Sequence, residues 1–179
     1  MLKKDECAFV LVDVQGRLAK IVHENEKIIT NLINLIQGLK ILNIPIIWVE
    51  QYPEGLGVTD EKLSKYLTDE KPILKMTFNA CKNEEFIEAV KATGRTQMLV
   101  AGIETHVCVY QTAYGLKQMG YDIEVISDAV SSRTLANKKI GLEKMKADGI
   151  NITCFESALF ELTETSEGEQ FKKIIELIK

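Results

Sequence analysis

The chain has 179 residues, 46% of them apolar and 27% charged, with a mean hydropathy of -0.01, the balance of one globular domain over residues 1–179 able to bury a two-sided core. A formal net charge of -4 and a pI near 5.4 leave no basic surface for a phosphate backbone, which excludes nucleic acid as a partner. No apolar stretch approaches the roughly 20 residues that span a bilayer. Met1–Glu6 is charged and runs at once into a strand-like segment, so neither a membrane partner nor a signal peptide is expected and the chain reads as cytoplasmic.

In chain order, short β-rich runs alternate with longer segments of helical period. The strands are expected at Cys7 to Asp13, Pro45 to Glu50, Pro72 to Lys75, Gln97 to Gly102, Asp122 to Ile126 and Ile152 to Cys154. Helices are expected at Glu26 to Leu42, Glu84 to Ala92, His106 to Met119, Leu135 to Asp148 and Gly168 to Ile178. Gly94, Gly120 and Gly149 stop helices just ahead of the next strand. The acidic stretch from Glu161 to Glu169 reads as a solvated loop. Alternation of this kind predicts an α/β domain of three layers, Rossmann-like, with helices on both faces of a six-stranded parallel sheet in order 3-2-1-4-5-6.

Ligands of such sheets bind beyond the carboxyl ends of the strands, where the strand order reverses. Asp13 stands there after Phe9-Val10-Leu11-Val12, Lys75 after Pro72-Ile73-Leu74, and Cys108 in the first turn after Gln97 to Gly102. A helix start favours a thiolate, so the thiol pKa of Cys108 is expected to fall from about 8.5 toward neutrality. Asp13 can then take the thiol proton, Lys75 can favour both ionised groups, and backbone NH groups can hold an oxyanion. Taken singly, these residues are as well explained by a packed cysteine, a turn cap and a solvated lysine; their convergence favours covalent acyl transfer.

The segments Leu11-Val12-Asp13-Val14-Gln15, Glu50-Gln51-Tyr52-Pro53-Glu54-Gly55-Leu56-Gly57, Leu74-Lys75 and Ala101-Gly102-Ile103-Glu104-Thr105-His106-Val107-Cys108-Val109 resemble the isochorismatase-like cysteine hydrolases. The resemblance implies a catalytic triad of Asp13, Lys75 and Cys108, and a non-proline cis peptide joining Ile103 to Glu104 that aims the NH of Glu104, with that of Cys108, at the oxyanion. It also implies a homo-oligomer, a dimer or larger. Nicotinamidases of this family carry a histidine-containing metal element after the second strand. Here that region reads Glu50-Gln51-Tyr52-Pro53 with no histidine between His23 and His106, so no metal and no other cofactor is expected.

The expected reaction is cleavage of a small amide or ureido C-N bond through a Cys108 thioester. Ether hydrolysis led by Asp13, as on an isochorismate-like vinyl ether, a redox role for Cys108, and a non-catalytic scaffold subunit stay open. For the small-molecule substrate, Gln15, Tyr52, Phe78, Thr105 and His106 are the candidate pocket residues. Gln15 either binds a substrate carbonyl or supports the backbone, and His106 either lines the pocket, serves as a second proton carrier, or packs at the helix start or a subunit contact. Trp48, mid-strand, is expected in the core, Cys7 and Cys154 as inert thiols, and Cys81 as an exposed thiol with no assigned role.

Overall fold

Strands buried on both faces read as continuous apolar runs, and the computed structural model, which describes residues 1–69 and 71–179, pairs six such runs in parallel. They are β1 (Cys7–Val12), β2 (Ile46–Gln51), β3 (Ile73–Lys75), β4 (Gln97–Ile103), β5 (Asp122–Ser131) and β6 (Asn151–Thr153). Their order is β3-β2-β1-β4-β5-β6, as expected from the sequence. β1 lies at the centre with every residue buried, Leu11 in register with Trp48 on one side and Ala101 on the other. Successive strands run outward from β1 in opposite directions, so the crevice opens between the carboxyl ends of β1 and β4.

The layers around the sheet are helices α1 (Gly16–Ile21), α2 (Asn25–Ile41), α3 (Pro53–Leu56), α4 (Glu61–Ser64), α5 (Glu84–Ala92), α6 (Tyr110–Gln118), α7 (Leu135–Ala147), α8 (Phe155–Thr163) and α9 (Gly168–Ile178). In α2, Ile28, Leu32, Leu35, Ile36 and Leu39 recur at helical spacing and are buried. Phe86 and Val90 of α5 and Ile174 of α9 do the same from their own faces. Asn83 caps α5 by accepting from Phe86 N, and Thr134 caps α7 by accepting from Asn137 N.

Four expectations need correction. β1 stops at Val12, because Asp13 adopts a left-handed φ of 49° and turns the chain out of the sheet. β5 runs on to Ser131 instead of ending at Ile126. After a register shift in β4, Val130 and Ser131 pair with Gly102 and Ile103. The helix expected from His106 begins only at Tyr110, because Thr105–Val109 is wound as a wider π turn. The expected acidic loop starts inside α8, where Leu162 is buried and Glu161 Oε2 accepts from Leu2 N. The helices α1, α3, α4 and α8 are additions to the sequence reading. Among the described residues, no helix is long and apolar enough to cross a membrane.

Candidate active site

Leaving β1 in a left-handed conformation carries Asp13 into the crevice between strand ends, with its side chain only 5% exposed. There Oδ2 lies 2.7 Å from the ammonium of Lys75, whose side chain is fully buried at the end of β3. β2 stands between these strands in the sheet, and its last residue, Gln51, bridges them: Lys75 Nζ donates to Gln51 Oε1 at 3.2 Å. A third donation, to Thr77 O at 3.1 Å, uses the last proton of the ammonium. Asp13 Oδ1 has no hydrogen-bond partner among the described residues. Burial raises the Asp13 carboxyl above the ordinary aspartate range, against the charge and hydrogen bond of Lys75, which favour the ionised form.

On the other side of the crevice, β4 ends at Ile103 and the Ile103–Glu104 peptide is cis. The π turn then brings Cys108 to the same place, 8% exposed, with Sγ donating to Gln51 Oε1 at 3.3 Å. One oxygen of Gln51 thus accepts from both the thiol and the ammonium. Burial pushes the Cys108 thiol up, the charge of Asp13 pushes it further, and Lys75 opposes both. The expected fall toward neutrality is therefore overturned: desolvation and a neighbouring carboxylate outweigh a turn end and an ammonium already paired with that carboxylate. At rest Cys108 is held as a neutral thiol beside a carboxylate.

These groups open into a cavity of about 100 Å³. Asp13, Gln51, Glu104 and Cys108 reach it, and Leu18, Leu56, Phe78 and Val107 supply apolar wall. Phe78 is where the sequence reading expects it. Gln15 also borders the cavity, but its amide is committed to backbone, donating to Gly57 O and Gln51 O and accepting from Gln51 N. Because Asp13 is not extended, Gln15 and Asp13 do not share the geometry of a strand, and Gln15 serves as a backbone support. Glu104 Oε1 accepts from Arg133 N and Arg133 Nε at 3.0 and 3.1 Å.

Three expected pocket residues lie off the wall. Tyr52, left-handed at φ 39°, packs its ring over Gly55 and is exposed outside the cavity. His106 faces away, with Nδ1 3.0 Å from Ser132 Oγ. Thr105 is completely buried beneath the turn, its hydroxyl without a partner among the described residues. Trp48 is core, as expected. Cys7 is buried and inert, its thiol pushed up to about 12 by desolvation. Cys81 is half-buried against Thr112 O, also raised to about 12, and so is not the exposed thiol expected of a loop. Cys154 caps α8 by accepting from Ser157 N. Gln51, Leu18, Leu56 and Val107 are not among the candidate site residues of the sequence reading. Gln51 ends β2 as Lys75 ends β3, but the sequence reading stops that strand one residue earlier, at Glu50, and so passes over it.

Three comparisons bear on this site. A profile of the isochorismatase domain matches residues 7–157. A secreted isochorismatase effector of Phytophthora sojae is 37% identical over 173 residues, covering 93% of this chain and 81% of that one. Among solved structures, the MAR1 ribonuclease from Caenorhabditis elegans superposes with a TM-score of 0.92 at 33% identity, over 99% of this chain and 91% of that one. The YcaC gene product from Escherichia coli, described as an octameric hydrolase of unknown specificity, gives 0.93 at 28% identity, over 99% and 88%.

Proposed function

This chain belongs to the isochorismatase domain family, and from that premise we propose that it is a hydrolase cleaving a small amide or ureido C-N bond through a thioester on Cys108. The observation that carries the reading is the convergence of a thiol, a buried carboxylate with one unpartnered oxygen, and a fully bonded ammonium around Gln51 Oε1. Asp13 Oδ1 takes the thiol proton as Sγ forms its bond to the substrate carbonyl carbon. The negative charge moves to the carbonyl oxygen, where the NH groups of Glu104 and Cys108 receive it. Collapse breaks the C-N bond while Asp13 returns its proton to the departing nitrogen.

A water molecule then attacks the thioester, giving its proton to Asp13. The second collapse expels the sulfur, which Asp13 reprotonates, and the acid leaves. Lys75 keeps Asp13 ionised enough to act as base despite its burial, and it does so from a fixed position. The octameric state of the E. coli neighbour supports a homo-oligomer here too. The nematode neighbour is called a ribonuclease. A nuclease reading fits this cavity poorly, since its charged lining residues are Asp13 and Glu104.

Intact-protein mass spectrometry after rapid quenching with a panel of short amides tests the mechanism. The expected adduct is one acyl group on Cys108, absent from Cys108→Ala, with ammonia release falling at least about 10³-fold in Cys108→Ala and Asp13→Asn. Hydrolysis that survives in Cys108→Ala but not in Asp13→Asn would replace the thioester route with chemistry led by Asp13 alone.

A further inference from the structure

The charged groups on the cavity wall are of one sign. Asp13 and Glu104 reach it, and each is paired with a cation that is not itself a lining residue. Lys75 lies behind the wall, 3% exposed, with its three protons on Asp13 Oδ2, Gln51 Oε1 and Thr77 O. Arg133 pairs Nε with Glu104 Oε1 from a side chain 57% exposed to solvent and is not among the lining residues. The uncharged lining joins Gln15, Gln51 and Cys108 to an apolar wall of Leu18, Leu56, Phe78, Ile103 and Val107.

A substrate carboxylate entering this space would lose its water and meet no cation among the described lining residues, beside two groups of its own sign. Burial of an unpaired charge is strongly unfavourable, and repulsion between like charges is poorly screened where water is excluded. An uncharged acyl group meets no such penalty and gains contact with the apolar wall.

We propose that the acyl pocket of Cys108 is built for a short, uncharged acyl group and excludes acyl groups that carry their own carboxylate. The proposal rests on the Cys108 hydrolase reading and narrows its substrate class: dicarboxylates such as isochorismate fall outside it.

Iodoacetamide and iodoacetate are nearly equal in size and differ in charge by one carboxylate, which makes them a size-matched pair of probes. Their rates of alkylation at Cys108, read by peptide mass spectrometry and divided by the rates for free cysteine in the same buffer, report the preference without any turnover. The neutral reagent is expected to be favoured at least tenfold beyond free cysteine. Phe78→Arg, which adds a cation at an exposed part of the rim, is expected to narrow that ratio while the melting temperature stays near that of the native protein. A normalised ratio near unity in the native protein, or one favouring iodoacetate, overturns the proposal.

Butyramide and succinamate then test the same preference in turnover, through ammonia release. Succinamate is expected to show a kcat/KM at least tenfold lower, and faster hydrolysis of succinamate overturns the proposal. Loss of turnover with both amides, alongside an intact alkylation preference, would remove the thioester mechanism and leave the charge selectivity of the pocket standing.

Discussion

The residue that organises the site is Gln51, through a single oxygen shared by thiol and ammonium. Around it, the signs of the neighbouring charges set two opposite predictions for Cys108. Removing the Asp13 charge in Asp13→Asn deletes a contribution that raises the thiol pKa, so the alkylation midpoint should fall even as hydrolysis is lost. Lys75→Met deletes a contribution that lowers it, so the midpoint should rise. A shift in the same direction for both variants would contradict the arrangement. Lys75→Met also leaves Asp13 as an uncompensated buried charge, at a cost of about 3–5 kcal/mol in urea unfolding. Asp13, Lys75 and Cys108 can be picked out in the sequence because each follows an apolar run. The sign of the Cys108 shift could not be read there, since burial of all three groups depends on neighbours far along the chain.

Among the elements, α7 and the π turn are packed more closely than any side chain allows. A Cβ on Gly141 would lie 2.8 Å from His106 N and 2.9 Å from the carbonyl carbon of Thr105, both backbone atoms. Gly141→Ala would gain about 0.5–1 kcal/mol of helix propensity, yet overpacking against rigid backbone costs about 1–3 kcal/mol. The expected result is a lower melting temperature and a kcat reduced more than KM changes, as the Cys108 segment is displaced. Gly102 is constrained in a second way, at φ 124° and with its Cβ position occupied by Val12 O. The long helices α2 and α9 were legible because several turns of apolar period accumulate in each. α3 and α4 have four residues apiece, too few to show a period, and a π turn differs from an α turn in hydrogen-bond register without changing which residues are apolar.

For the whole molecule, buried thiols make stability depend on alkaline pH. Cys7 has its folded pKa raised from 9.0 to about 12, so the folded state holds its proton through a range where the unfolded chain releases it. Its contribution is fully present below about pH 9 and is lost as pH rises toward 12. Cys81 acts in the same direction over the same window. Thermal stability is therefore expected to fall across that interval, and less steeply in Cys7→Val. Equal slopes in both proteins would remove Cys7 as a cause.

The strand order carries a last consequence. Asp13 and Lys75 sit at the ends of β1 and β3, Cys108 lies just beyond β4, and the glutamine joining them ends β2, so they meet only when four separate strands have assembled. Chemistry at Cys108 thus works as a reporter of tertiary assembly. During refolding, recovery of the slow, protected thiol should keep pace with docking of the edge strand β3, and should lag behind any helix that forms alone.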